Sequence, residues 1–303
     1  MLGAEARRLP AGEMDRVLEA YQGWIKNIAA DNKVIQASQQ LTDKDYNDVA
    51  DLYREVYPEE VTILPPDRYG DIVIMPATGC PNRRCTFCAF YKDKLYKVLN
   101  EQAFAQHLAD VKNLYGAKVH SSPGVFLGSA NAMALSQRRL MCCLTLIKEK
   151  LGTFKREVST FADPDFSAKR TTAQWNELRE SGLCHLVIGL ETGWGELRAS
   201  LGKSGDLDKC IAMINSARRA GINIGLTLLT GAVPWELRRE NLKQTLITLE
   251  SLELSGGDLI YLSPLSKNGF VDDAALEEQS EMITMMTEAK VVPYQMQRFQ
   301  YFM

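Results

Sequence analysis

Three cysteines share one short stretch, TGCPNRRCTFCAFY, residues 78–91. Cys80, Cys85 and Cys88 have the spacing C-x4-C-x2-C. Three thiolates on one tight loop suit three irons of a [4Fe–4S] cluster. No fourth cysteine falls nearby, so the fourth iron would stay open to a non-protein ligand. Arg83 and Arg84, inside the loop, are expected to favour the thiolates and offset the cluster's negative charge. The alternative is a structural zinc ion with His107 or His120 as fourth ligand, in a non-catalytic barrel acting as a binding module. Structural zinc sites usually pair two C-x2-C knuckles or add a histidine pair. One knuckle and three scattered histidines weigh toward iron and sulfur.

The elements that must position this loop alternate along the chain. Short apolar runs, rich in branched residues, fall at 71–77, 124–130, 156–162, 185–191, 222–229 and 258–265. Helical patterns lie between them at 101–114, 134–150, 172–181, 206–220 and 236–253. Six strands alternating with helices predict an α/β fold with a parallel sheet and right-handed crossovers. A closed eight-unit barrel takes about 250 residues. The alternating part here is shorter, so the expectation is a partial, six-unit TIM-like barrel over 70–270. Residues 1–69 read as a helical N-terminal extension, with amphipathic patterns at 12–29 and 42–56, and 271–303 as a C-terminal tail with one helical stretch. The cysteine loop follows the first strand at its C-terminal end, where parallel α/β folds place their chemistry.

On these residues the segment resembles the signature loop of the radical S-adenosylmethionine (radical SAM) superfamily. The family's usual form is C-x3-C-x-aromatic-C. Phe87 fills the aromatic slot, and this chain has one extra residue between the first two cysteines. FLGSAN (126–131) resembles the glycine-rich turn after the family's second strand. VIGLETG (187–193), GLTLLTG (225–231) and YLSPL (261–265) are similar to later strands of the branch that includes coproporphyrinogen dehydrogenase and the methylthiotransferases. The resemblance spans about residues 70–265. It implies a [4Fe–4S] cluster, S-adenosylmethionine as cofactor, and a 5′-deoxyadenosyl radical that takes hydrogen from substrate. It also implies a low-potential electron donor such as flavodoxin or ferredoxin.

The same resemblance marks candidates for binding S-adenosylmethionine. Phe87 would pack on adenine. Gly128, Ser129 and Ala130 would let the backbone approach the methionine amino group. Ser129 and Asn131 would hydrogen-bond there, although Asn131 also suits a helix cap. Ser159 ends the third strand with Asp163, which serves equally as turn punctuation before Pro164. Glu191, at the mouth of the fourth strand, suits a ribose or an ammonium. Thr227, Leu228 and Leu262 are candidates for the adenine wall. Trp194 and Trp235 follow the fourth and fifth strands and would wall a flat substrate or pack in the core. No residue stands out as catalytic by itself.

Composition bounds the rest. Lys plus Arg is 35 and Asp plus Glu 38, a net charge of −3, which disfavours a nucleic-acid substrate. No apolar run is long enough to span a membrane, and the N-terminus lacks the apolar region of a secretory signal. Seven cysteines without such a signal suggest a reduced, cytoplasmic setting. Cys142, Cys143, Cys184 and Cys210 are scattered and read as small core residues, so one cluster is expected. The expected substrate is a small or medium organic molecule, oxidised, functionalised or rearranged, with a tetrapyrrole suggested only by the branch resemblance.

Overall fold

In a computed structural model of the protein, the described residues are 43–61, 63–128, 130–167, 169–265 and 273–294, with 16, 19 and 20 as isolated positions. The pattern at 12–29 therefore lies almost wholly outside the described residues. The chain forms two compact units, residues 1–60 with 300–303, and Val61–Phe299. The first unit contains α1 (Asp43–Val56), close to the range its periodicity suggests. Tyr53 and Val56 on it are buried, and Val49 is exposed.

The second unit is an α/β fold around a parallel sheet. Its strands are β1 (Ile72–Ile74), β4 (Val125–Leu127), β5 (Val158–Ala162), β6 (Leu183–Glu191), β7 (Asn223–Thr230), β8 (Leu259–Pro264) and β9 (Lys290–Pro293). They pair in that order, every pair parallel, and β1 and β9 end the sheet without pairing to each other. An open barrel results, with seven strands where the sequence suggests six. The seventh comes from the stretch read as tail. It is short, pairs with β8 alone, and carries Pro293, which an edge strand tolerates. A separate antiparallel ribbon pairs β2 (Ala77–Thr78) with β3 (Lys97–Val98), on either side of the cysteine loop.

Helices α2 (Glu101–Tyr115), α3 (Gln137–Leu151), α4 (Pro164–Ser167), α5 (Thr172–Glu180), α6 (Gly195–Ser200), α7 (Leu207–Arg219), α8 (Arg238–Glu250) and α9 (Asp273–Met286) complete the unit. Local chemistry sets several starts. The Asn100 side chain accepts from the Ala103 amide at 2.8 Å, and Thr171 and Gln174 form a reciprocal capping box on α5.

Both faces of β1 and of β4 to β8 are largely buried, so the sequence shows continuous apolar runs there. The interior is set by alternation. Phe126 and Phe161 meet edge-on at 4.8 Å between ring centres. His185 and Tyr261 crowd the Gly225 backbone from neighbouring strands. At the end of the sheet away from the cysteine loop, Tyr261 donates to Asp67 at 2.7 Å and Arg156 pairs with Asp71 at 2.7 Å. No helix among the described residues is long and apolar enough to cross a membrane.

Candidate active site

A cleft of about 990 Å³, including its open mouth, lies at the C-terminal ends of the strands. Cys80, Cys85 and Cys88 all line it. Asn82 organises their loop. Its carbonyl accepts from the Cys80 thiol at 3.1 Å, its amide donates to Cys85 Sγ at 3.4 Å, and its Oδ1 accepts from the Arg84 amide at 3.3 Å. The backbone and side chain of this one residue thus shape the longer C-x4-C spacing. Burial pushes the Cys80 and Cys85 thiols up to about 11. For Cys85, the Lys203 ammonium is the main opposing influence. Arg83 and Arg84 are exposed instead. The cation acting on Cys85 is therefore Lys203, while Arg84 turns back on the loop to donate to Asn82 Oδ1 at 3.4 Å.

A second loop grips the first. Leu201 O accepts from the Thr86 amide at 3.0 Å, and Gly202 O accepts from Asn82 Nδ2 at 3.3 Å. Gly202 has φ +84°, and a Cβ there would collide with the Arg84 carbonyl and reach 3.1 Å from Cys85 Cα. Only glycine allows this approach.

Next in the chain, Lys203 enters the cleft wall. Its ammonium donates to Glu191 Oε1 at 2.7 Å and to Gly189 O at 2.9 Å, and lies 3.4 Å from Asp163 Oδ2. All three ionic side chains are buried or nearly so. Burial alone would lower the Lys203 pKa, but the Glu191 and Asp163 carboxylates hold it above the usual lysine value. Arg198, fully buried, braces the arrangement by donating to Leu190 O at 3.2 Å and lying 3.8 Å from Asp163 Oδ1. Glu191 sits at a register shift in β6 with φ +68°, a conformation that costs a non-glycine residue about 1–3 kcal/mol. A side chain at Gly189 would come within 2.5 Å of both Glu191 Oε1 and Lys203 Nζ. Backbone strain and a glycine gap together make room for the ion pair.

Asn131 is the other unusual polar residue. It lines the cleft and is 4% exposed, yet neither Oδ1 nor Nδ2 has a hydrogen-bond partner. It does not cap the following turn. A buried amide without partners costs free energy unless something else satisfies it.

The remaining sequence candidates are distributed as follows. Phe87, Ala130, Asp163, Glu191 and Thr227 line the cleft with Asn131 and the cysteines. Ser129 lies outside the described residues. Gly128 is a barrel-packing residue whose amide donates to Ile74 O at 2.8 Å, and it does not reach this wall. Ser159 is fully buried beneath the cleft, in register with His185. Leu228 and Leu262 are buried away from the cleft: Thr227 and Leu229 take the inward positions on β7, and from β8 only Pro264, with Leu265 just past the strand, lines the cleft. Trp194 is half-buried outside the cleft, and Trp235 is exposed under the Arg238 guanidinium. His107 Nε2 accepts from the Met75 amide at 3.0 Å, and His120 is exposed before β4, at the opposite strand ends. Neither lines the cleft, so neither completes a zinc site with the cysteines. Sequence reasoning missed Asn82, Lys203, Phe161 and Tyr294, all on the cleft wall. For Lys203 the available signal was the L-G-K-S-G run just after α6.

Residues 74–240, more than half of the chain, match the family model described as the radical SAM superfamily. The chain belongs to this superfamily. Its members use a [4Fe–4S] cluster and S-adenosylmethionine for radical chemistry. Comparison with curated proteins gives no match.

Among solved structures, a radical SAM methyltransferase from Sphaerobacter thermophilus is 14% identical, with a TM-score of 0.52 over 93% of this chain and 89% of that one. Coproporphyrinogen III oxidase (HemN) from Escherichia coli is 17% identical, with a TM-score of 0.51 over 81% of this chain and 56% of that one. The cobalamin-dependent S-adenosylmethionine radical enzyme OxsB is 17% identical, with a TM-score of 0.49 over 74% of this chain. This chain spans about a third of OxsB, 32% of its length. For the methyltransferase and the oxidase, at these identities, the likeness is one of fold.

The residues present fit the family's cofactors. Three thiols share one wall of the cleft without a fourth, and the orphaned Asn131 amide faces the same space.

Proposed function

We propose that this cleft is the active site of a radical SAM enzyme acting on a small or medium organic substrate, which is oxidised, functionalised or rearranged. In this reading Cys80, Cys85 and Cys88 hold the [4Fe–4S] cluster, and Phe87, Ala130, Asn131 and Glu191 help hold S-adenosylmethionine. When bound, the two cofactors supply one-electron cleavage of the sulfonium to a 5′-deoxyadenosyl radical, which takes hydrogen from the substrate. The protein's own part is position and exclusion of water. Asn131 offers both a donor and an acceptor to a cofactor that carries ammonium, carboxylate and hydroxyl groups. Glu191, fixed by Lys203, presents a carboxylate whose charge is already balanced on one side. Phe161, Val187 and Leu229 give the cleft floor an apolar lining that keeps water from the reacting atoms.

The observation that carries the proposal is the convergence of three thiols and an unpartnered buried amide in one cleft. The test is anaerobic reconstitution of the wild type and of Cys80→Ala, Cys85→Ala and Cys88→Ala. Wild-type protein should bind about four irons and release 5′-deoxyadenosine under reduction. Each single variant should lose both properties. Full cleavage in any of the three would refute the ligand assignment.

A further inference from the structure

The segment 77–100 carries Arg83, Arg84, Lys92, Lys94 and Lys97 against a single acid, Asp93. Its net charge of +4 leaves −7 for the rest of a chain whose total is −3. The β2–β3 ribbon gathers this charge beside the cysteines, because Lys97 pairs with Thr78, two residues before Cys80. Arg83, Arg84, Lys92 and Lys97 are exposed, and Lys94 is half-buried with its ammonium over the Tyr91 ring at 5.4 Å. Among them stands Leu95, 73% exposed. Asp165, which lines a groove with Arg84, is engaged by Arg198 and by the Ser204 amide. Among the described residues, no ion pair engages Arg83, Arg84, Lys92, Lys94 or Lys97.

We infer that this face, Arg83, Arg84, Lys92, Lys94 and Lys97 around Leu95, is the docking surface for an acidic one-electron donor protein. The inference rests on the proposed cluster at Cys80, Cys85 and Cys88. An electron must reach that cluster from outside, and the ribbon flanks the loop that carries those cysteines. The step is balanced: the reduced donor loses one electron, the oxidised cluster gains it, and no bond is made or broken. A positive patch on an otherwise acidic chain steers an acidic partner to this spot and away from the remaining surface. Leu95 supplies the apolar contact that a short-lived encounter of this kind uses at its centre. A polyanion such as RNA would meet the same charges, but the small area and the acidic remainder favour a compact partner.

The test uses reconstituted holoprotein, reduced acidic ferredoxin as the probe, and stopped-flow loss of the cluster's visible absorption. The second-order rate should fall about ten-fold or more as salt rises, and the variant K92E/K94E/K97E should lose about the same factor at low salt and most of the salt dependence. Reduction by a small uncharged reductant, photoreduced 5-deazariboflavin, should be the same in both proteins. An unchanged ferredoxin rate in the variant, or a rate indifferent to salt, would overturn the docking assignment, whether or not the variant loses RNA binding. Absence of cluster absorption in the wild type would instead overturn the cluster reading beneath it.

Discussion

Replacing Lys203 by Met keeps the aliphatic stem and removes the only ammonium that touches both Glu191 and Asp163 in the described contacts. All three donor positions of Lys203 are turned toward oxygen: Glu191 at 2.7 Å, Gly189 O at 2.9 Å and Asp163 at 3.4 Å. Two carboxylates would then be left in a buried wall. Removing one partner of a buried ion pair costs about 3–5 kcal/mol, because the other charge stays desolvated. Arg198 remains 3.8 Å from Asp163, which sets the expectation at the low end, about 3 kcal/mol. In urea this is a midpoint lower by about 1 M or more. Lys203→Met with Glu191→Gln should recover about half of the loss by removing one stranded charge. The sign of the pH effect follows from the raised Lys203 pKa. A raised folded-state value stabilises at every pH below the ordinary lysine range and fades only as pH climbs through the folded value. The difference between wild type and Lys203→Met should therefore be flat from neutrality to about pH 10 and shrink above it. Urea unfolding of the metal-free proteins at several pH values measures this. A loss under about 1 kcal/mol, or a double variant as unstable as the summed single variants, would refute the buried-pair argument.

Asn131→Leu removes an amide that has no protein partner, so metal-free stability should stay level or rise, while affinity for S-adenosylmethionine falls about ten-fold in anaerobic titration. Equal affinity would remove Asn131 from the cofactor site. Gly202→Ala places a methyl against the Arg84 carbonyl at φ +84°, and iron content after reconstitution should drop by more than half. Normal loading would show that the 201–203 grip on the cysteine loop is dispensable. Replacing Cys142, Cys143, Cys184 and Cys210 together by Ala or Ser should leave iron per folded protein unchanged, because none of them lines the cleft. A fall of about half would mean a second cluster.

The parts of this molecule that were legible in the sequence are those fixed by local pattern. The cysteine spacing is such a pattern, and so are the long apolar runs that become β6 and β7. β9 was not legible, since four residues ending in proline carry too little periodicity. The ribbon of β2 and β3 has two residues per strand and is even less visible. Leu228 and Leu262 illustrate a different limit. In a strand buried on both faces, an apolar run does not say which alternate residues face inward. Asn131 and Glu191 both line the cleft; the resemblance of FLGSAN marks the first, and position at a strand's C-terminal end marks the second. Lys203 was not legible, because it lies 12 residues beyond Glu191, past a helix, and only the fold brings its ammonium back to that carboxylate.

That return has a consequence for how the site assembles. The loop carrying Lys203 bonds the cysteine loop through Leu201 and Gly202 and bonds the strand ends through Glu191 and Asp163. Lys203 fills the corner where the Glu191 backbone is strained and Gly189 leaves open space. The wall proposed for S-adenosylmethionine and the loop proposed for the cluster therefore share one brace. Damage to the brace should reach both, lowering iron loading and cofactor affinity together. Damage to Asn131, which touches neither the brace nor the thiols in the described contacts, should reach affinity alone. The two variants separate a positioning role from a binding role by which of the two measurements moves.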